Sequence, residues 1–401
     1  MLVRETLILA LVIMTITICD VSYDMYIPSL PHIGAYFGVP HTVVQLTVSL
    51  NLLGGSLSGL VYGPVSDHYG RRPVMLCGIA IFLLSSIGCC FALNMGVLIA
   101  LRFLQGLGAG VAGVVGYAII NDVYTGEDAA RNLSIVNMVV SLSPVAGPII
   151  GSYAIAWGYG WQLLFVIVAL SAIVLLLTLF ICLPETTKSR QTHLSCRSVV
   201  TEYAALFKNC KFLGYACIQG LTIMWVWASL ANLPFVFIEG MDLPVRHYGY
   251  LVAISVVAYI CGTFVNRQLL GRARMRWIIV MGLVLVMVPD IVVIICSYLL
   301  PELLNPWFIE LIWVPSSFGV AFVTINSVAT AFSEVSNKGV ASAFILCEQT
   351  VFGAAGIYIV GKFYNGTVVP VAILPIVCCI TCGLILCLLT KCDKKLKEAS
   401  S

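Results

Sequence analysis

Apolar residues fill this chain in long stretches, and polar residues are confined to short breaks between them. Twelve stretches reach about 20 residues, the length a helix needs to cross the hydrocarbon of a bilayer. They run approximately 5–27, 42–62, 74–93, 96–119, 132–155, 161–183, 211–237, 248–269, 277–299, 306–331, 338–361 and 367–390. A helix satisfies all of its backbone hydrogen bonds internally, so lipid is no obstacle to it. The pattern therefore predicts an all-α membrane protein with twelve transmembrane helices. The first stretch follows Arg4 and begins as a secretory leader would. It is too long for a leader's apolar segment and has no small-x-small cleavage site, so it reads as a retained helix.

The charges set the orientation. Twelve crossings leave both ends of the chain on one side. On that side fall Arg4, Arg71, Arg72, Arg131, five basic residues between 184 and 211, Arg267, Arg272, Arg274, Arg276, Lys338 and four lysines beyond 390. These are 18 of the 21 Lys and Arg; the opposite loops hold only Arg246 and Lys362, and Arg102 lies inside a helix. Positive charge is retained on the cytoplasmic face, so both termini are expected in the cytoplasm. Trp157, Trp161, Trp277 and Trp307 fall near span ends, where interface anchors belong. The longest polar stretch carries Lys188, Arg190, Arg197 and Lys208. It divides the chain into an N-terminal six-helix bundle (1–183), a cytoplasmic linker (184–210), a C-terminal six-helix bundle (211–390) and a cytoplasmic tail (391–401). Six plus six helices around a basic linker is the layout of a secondary transporter built from repeats.

Composition narrows the function classes. The chain is 60% hydrophobic and 10% charged, against roughly 45–50% and about 25% for soluble domains. A soluble enzyme, a nucleic-acid binder and a disordered scaffold are excluded. The 16 cysteines lie mostly inside apolar runs, where Cys acts as a small buried hydrophobe. The group Cys378, Cys379, Cys382 and Cys387 has no partner cluster, so no metal is expected. The histidines (32, 41, 68, 193 and 247) stand in or beside loops, which leaves no metal set or nucleophile–base pair within the helices. An enzyme is not expected. Gly55, Gly59 and Gly63 in helix 2, and Gly106, Gly110, Gly113 and Gly116 in helix 4, form small-residue faces suited to close packing. No strand precedes them and no Gly-Lys-Ser/Thr follows, so they form no phosphate loop. With no cofactor and no ATPase motif, the driving energy must be an ion gradient.

Ionisable residues within the spans are expensive in lipid and are therefore candidate function. Asp24 lies at the outer end of helix 1, and Asp20 is one turn deeper on the same face. Arg102 lies about six residues into helix 4, roughly 9 Å from its outer end. Asp20 or Asp24 paired with Arg102 would neutralise both charges, and movement of the Arg would switch the acid between binding and releasing a proton. The plain alternatives are a static buried pair, or an Asp24 that reaches the outer interface. Glu348 sits about ten residues into helix 11, roughly 15 Å deep and near the bilayer centre. It is a second candidate for a proton or cation site, with helix packing as the alternative. Asp290 and Glu310 lie nearer the outer side; Asp290 is expected to be structural or interfacial. Gln105, Trp225, Trp227 and Asn232 complete the candidate substrate cavity, with core packing the alternative for the tryptophans.

The break after helix 2 reads Gly63-Pro64-Val65-Ser66-Asp67-His68-Tyr69-Gly70-Arg71-Arg72-Pro73. It suggests a tight turn in which Gly63 and Gly70 supply special backbone geometry. Asp67 would accept from a helix N-terminus or a guanidinium, and Arg71 and Arg72 would act as charged latches. At these residues the chain resembles the major facilitator superfamily, whose loop signature is G-x-L-x-D-R-x-G-R-R/K; Val65 and His68 are departures. Helix 4 (Leu101 to Gly110, LRFLQGLGAG) is similar to the family's R-x-x-Q-G-x-G motif. Gly147, Pro148 and Gly151 in helix 5 match the antiporter motif of drug exporters. Asp24 to Pro31 (DMYIPSLP) and Leu233 to Phe237 (LPFVF) resemble segments of the Bcr/CflA drug-resistance branch, in which Glu348 is a departure.

The resemblance implies two pseudo-symmetric six-helix bundles around a central cavity. It implies drug/proton antiport by alternating access in a monomer of the bacterial inner membrane whose partners are a small-molecule substrate, protons and the lipid bilayer, with no nucleic acid. The proton carriers would be Asp24, then Asp20, then Glu348, with Arg102 as their counter-charge; Gly63, Asp67, Gly70, Arg71 and Arg72 would form a gate. An exporter of an endogenous metabolite such as a siderophore, an importer, and a non-transporting receptor remain compatible with the same residues.

Overall fold

The computed structural model describes residues 2–187, 204, 206–335 and 338–400. Among them, twelve helices are long and apolar enough to span a membrane. We label them α1 (Glu5–Phe37), α2 (His41–Tyr69), α3 (Arg71–Cys90), α4 (Met95–Val123), α5 (Gly126–Ala156), α6 (Gln162–Cys182), α7 (Cys210–Gly240), α8 (Val245–Leu269), α9 (Met275–Leu299), α10 (Pro306–Ser333), α11 (Val340–Phe363) and α12 (Val369–Lys391). Three are irregular. A 3₁₀ turn, Ile27–Ser29, interrupts α1 where Pro28 cannot donate. The helix of α5 breaks between Val140 and Ser143, ahead of Pro144. The end of α7 widens to a π-helix over Phe235–Gly240, after Pro234.

Two compact units result: Met1–Ser195 with Pro244–Tyr250, and Cys196–Leu243 with Leu251–Ser401. Of the expected linker, Pro184–Thr187 and Leu206–Asn209 are described; Lys188, Arg190 and Arg197 lie outside the described residues. Within each unit, glycines set the helix crossings. In the first, a Cβ on Gly106 would collide with the carbonyl oxygen of Asn51, and one on Gly54 would reach the Leu107 nitrogen at 2.8 Å, so α2 and α4 meet backbone to backbone. Gly78 and Gly108 do the same for α3 and α4: a Cβ on Gly108 would stand 2.8 Å from the Gly78 oxygen. In the second unit Gly282 and Gly319 bring α9 against α10, with 2.8 Å from a Gly282 Cβ to the Gly319 oxygen. With no hydrophobic drive between helices in lipid, such close contact supplies the association energy. Gly106→Ala is therefore expected to destabilise the fold by about 1–3 kcal/mol, the usual cost of overpacking. Gly113→Ala, with nothing within 4 Å of the new carbon, should be neutral. Thermal unfolding of both variants in detergent checks this.

α6 shows how the units face lipid. Val168, Ala172, Leu175 and Leu179 are buried, while Leu170, Val174, Leu177 and Ile181 on the other face are exposed. Both faces are equally apolar, because the exposed one meets hydrocarbon rather than water. Trp157, Trp277 and Trp307 are exposed, as anchors should be. Trp161 is not: it is buried among Tyr36, Phe37 and Phe165, since α1 extends past its 3₁₀ turn and covers it.

Candidate functional site

Arg102 is the largest fully buried side chain among the described residues, at 1% exposure. The sequence suggested a carboxylate partner, and the structure provides a different one. No ion pair joins Arg102 to Asp20 or Asp24 among the described residues. The guanidinium instead lies over the Tyr26 ring at 4.3 Å from its centroid and 5.9 Å from that of Phe165. Its Nη1 donates to Gln105 Oε1 at 2.5 Å, and Gln105 Nε2 donates to Ser86 Oγ at 2.7 Å. Arg102 Nε is buried with no hydrogen-bond partner. The physical reason is register. Arg102 and Gln105 are three apart on α4 and share a face, and Tyr26 lies two residues beyond Asp24, which turns the ring rather than the acid toward the cation. A desolvated guanidinium over an aromatic face gains about 2 kcal/mol, so the rings replace part of its lost hydration. Tyr26 is itself held by a 2.8 Å hydroxyl contact with Thr47 of α2, and Asn51 Nδ2 donates to the Arg102 carbonyl at 2.6 Å.

Gln105, expected in a substrate cavity, is thus 1% exposed and part of the shell around Arg102. Asp24 is buried and Asp20 half-buried. Asp24 backs onto α5: a Cβ on Gly147 would stand 2.5 Å from Asp24 Cβ, and one on Gly151 would collide with the Met25 carbonyl. The glycines of Gly147-Pro148-x-x-Gly151 therefore seat α5 directly on the backbone that carries Asp24.

The break after α2 is not a loop. Helix α2 continues through Tyr69, and Gly70 alone turns the chain, with φ 107 that only glycine adopts comfortably. Gly63 lies in the helix, with only Val114 Cγ1 at 3.9 Å from its would-be Cβ, so it needs no special backbone geometry. Arg71 pairs with Asp67 at 2.6 Å and with Asp122 of α4 at 2.9 Å, and donates to Ser66 Oγ at 2.6 Å. The N-terminus of α3 is met by Glu185 rather than Asp67: Arg71 N–H donates to Glu185 Oε1 at 2.9 Å. Partial burial of Glu185 pushes its pKa up, but backbone N–H groups of Thr187 and Arg71, the Thr187 hydroxyl and the Thr186 N–H outweigh this and hold the carboxyl below its ordinary pKa. The contact is thus favoured above the unperturbed carboxylate range and is lost as the pH falls through the lowered value. Arg72 donates to the Phe180 carbonyl at 2.7 Å, at the end of α6, and stacks on the Phe180 ring.

In the second unit Trp225 is buried and Trp227 half-buried. Asn232 is buried and donates to the Ala228 carbonyl one turn back. Asp290 is buried rather than interfacial and accepts from Trp313 Nε1 at 2.9 Å, and Glu310 is buried and accepts from Ser255. Glu348 is half-buried, and both carboxylate oxygens are covered.

Sequence reasoning missed Tyr26, Ser86 and Phe165 as the shell of Arg102, and Asp122 and Glu185 as partners of Arg71. Only Asp122 left a trace, as an acid closing an apolar run.

The family model described as the Major Facilitator Superfamily matches residues 12–358. The Multidrug transporter MdfA of Edwardsiella piscicida is 30% identical over 261 residues, 65% of this chain and 63% of that one; this chain therefore spans less than two thirds of that relative's length. The Bicyclomycin resistance protein homolog of Haemophilus influenzae is 25% identical over 328 residues, 81% of this chain and 78% of that one. Among solved structures, a bacterial homologue of the human lysosomal transporter Spinster, in an inward-facing and occupied conformation, superposes with TM-score 0.77 at 14% identity, covering 96% of each chain. With its twelve helices, its Asp67–Arg71 motif and a matching family model over most of its length, the chain belongs to the major facilitator superfamily.

Proposed function

We propose that the protein exports small organic molecules in exchange for protons, by alternating access, as a monomer with both termini in the cytoplasm. One observation carries the reading: the glycine pair that resembles an exporter motif rests on α1 at Asp24 and Met25. Any change in the acid's environment is thereby linked to movement of α5. The names of the relatives, which refer to multidrug transport and bicyclomycin resistance, support the same direction. The basic-residue asymmetry supports the orientation. Asp24 is the first choice for the proton carrier, Asp20 the second and Glu348 the third, and Arg102 on Tyr26 is the fixed positive charge of the N-terminal unit. Trp225, Trp227 and Asn232 remain the proposed substrate contacts in the C-terminal unit, whereas Gln105 serves Arg102 instead. The test is reconstitution into liposomes with an imposed pH gradient and a panel of antibiotics, dyes and siderophores. Gradient-driven flux of at least one compound out of the protein's cytoplasmic side is expected, and binding without flux would mean a receptor.

The Asp67–Arg71–Asp122 cluster, with Gly70, is the proposed gate. Asp67→Asn should slow cycling and leave binding alone. The pair is part-exposed and worth about 1 kcal/mol at most, so turnover should fall by a factor of about five or less. Substrate affinity in detergent should change by less than about twofold. A large affinity loss with normal turnover would remove Asp67 from the gate.

A further inference from the structure

The second unit carries an altered copy of the turn between α2 and α3. Gly63-x-x-x-Asp67-x-x-Gly70-Arg71-Arg72 is echoed between α8 and α9 as Gly262-x-x-x-Asn266-Arg267-x-x-x-Gly271-Arg272-x-Arg274. Gly271 turns the chain as Gly70 does, with φ 84. The acid of the first copy is an amide in the second. Asn266 is buried and accepts from Asn326 Nδ2 of α10 at 2.7 Å. In the first unit two carboxylates hold Arg71, and a carbonyl holds Arg72. In the second, Arg267, Arg272 and Arg274 are exposed, and no hydrogen bond or ion pair among the described residues engages their side chains. No acid occurs in the chain between Asp242 and Asp290. Helix α10 reaches the same end of the unit, where Thr330 donates to Met275 Sδ at 3.5 Å, and its terminal Glu334 makes no ion pair among the described residues.

The turn is preset. Leu270 N–H donates to the Asn266 carbonyl at 3.1 Å, and Arg272 and Ala273 N–H donate to that of Leu269 at 3.0 and 3.1 Å, which occupies carbonyls that would repel an anion. Arg276 donates to Tyr215 of α7 at 2.9 Å and to Thr390 of α12 at 3.4 Å, and so fixes the start of α9. Arg274 is the N-cap of α9 and no side chain caps that end, so the first N–H groups of the helix add to the positive field. Three residues on, Trp277 opens an exposed stripe of Trp277, Met281, Val284 and Val288 that runs along α9 at helical spacing. On α8, Phe264 is exposed and precedes Arg267 by three residues. A Trp at a span end marks head-group depth. The arginines therefore lie where lipid head groups lie, and the apolar stripe continues from them into hydrocarbon. A small free anion would use the charges alone. An amphiphile with a phosphodiester head and acyl chains uses both, because guanidinium forks match phosphate oxygens and basic clusters at span ends attract anionic lipid.

We propose that Arg267, Arg272 and Arg274, around the Gly271 turn, bind the phosphate head group of an anionic phospholipid whose acyl chains lie along the Trp277 stripe of α9. This site is separate from the acids of α1, and lipid binding there requires no export activity. Where the first unit latches its arginines with its own acids, the second offers them to the bilayer.

The experiment is lipid binding to the purified full chain in a non-ionic detergent, read by native mass spectrometry. The probes are dioleoylphosphatidylglycerol and, with the same chains and no net charge, dioleoylphosphatidylcholine. The wild type should prefer phosphatidylglycerol by about tenfold or more. The double variant Arg272→Gln, Arg274→Gln should weaken phosphatidylglycerol by about tenfold or more, the scale of two charges lost at a lipid surface, and phosphatidylcholine by less than about twofold. Lysine at both positions keeps the charge and should lose less than glutamine. The control pair Arg131→Gln, Arg246→Gln removes the same charge from exposed sites elsewhere and should change phosphatidylglycerol binding by less than about twofold. Arg274→Gln alone, with an expected loss of about threefold or more, tests the site if the double variant does not fold. Equal wild-type affinity for the two lipids, or equal losses in the two glutamine pairs, overturns the proposal. So does displacement of phosphatidylglycerol by excess inorganic phosphate, which would make this a site for the free anion.

Discussion

Gradient-driven export by Arg102→Ala reconstituted in liposomes is expected to fall to the leak of protein-free vesicles, while the protein still inserts. The cation is fully buried and has no route to either membrane surface, so its partners are all internal. They are two aromatic faces and Gln105, not an acid. Losing a desolvated stacking contact alone costs about 2 kcal/mol, more than a factor of ten in rate. Arg102→Lys is the informative companion. An ammonium keeps the charge but neither stacks as a plane nor donates to Gln105 from the same fork. The geometry therefore predicts that Lys restores little, whereas a simple need for positive charge predicts full recovery. Normal gradient-driven flux in the Ala variant would remove Arg102 from the mechanism.

Asp24→Asn should uncouple transport from the proton gradient without abolishing it. The amide imitates the protonated acid, so the variant should still exchange substrate down a concentration gradient. Imposing a pH gradient should then accelerate that flux by less than about twofold, against an order of magnitude or more in the wild type, since one proton moving down a gradient of one pH unit contributes about 1.4 kcal/mol. Asp24 is the first choice because it is buried and its backbone is gripped by Gly147 and Gly151, so movement of α5 must disturb it. Asp20 lies one turn away, and if both acids titrate in one site their protonation is coupled. Asp20→Asn and Glu348→Gln are the comparisons. Full pH-driven export by both aspartate variants with its loss in Glu348→Gln would move the proton to α11. Retention in all three would favour sodium coupling or uniport.

The twelve spans were legible because lipid imposes length and apolarity on every helix that crosses it, and all twelve stretches correspond to helices. The break after α2 reads in sequence as a tight turn, yet most of it is helix. Pro64, Gly63 and Gly70 all look like breakers in sequence, yet only Gly70 adopts a turn conformation. The tertiary role of Gly63 is ordinary, and the polarity of Ser66 and Asp67 is absorbed by Arg71 inside the helix ends. The choice of partner for Arg102 was not legible. Depth along a helix can be counted from sequence, which places Asp20, Asp24 and Arg102 in one layer. Rotation about the helix axis cannot be, because in lipid both faces of α6 or α1 are apolar and no polar stripe marks the inside.

What the sequence by itself determined is therefore everything that solvent and length control. That comprises the number of helices, the apolar stretch at the heart of each, the basic linker, the asymmetry of charge and the short motifs that mark the superfamily. Only the tertiary structure decided which buried groups meet. It put Tyr26 rather than a carboxylate beneath Arg102, Gly147 and Gly151 behind Asp24, Glu185 at the start of α3, and Glu348 over Gly220. The physical reason is common to all four. Each contact depends on glycines that let two backbones close to van der Waals distance or on the azimuth of a side chain about its helix. Neither leaves a periodic trace in a chain whose surface and core are made of the same residues.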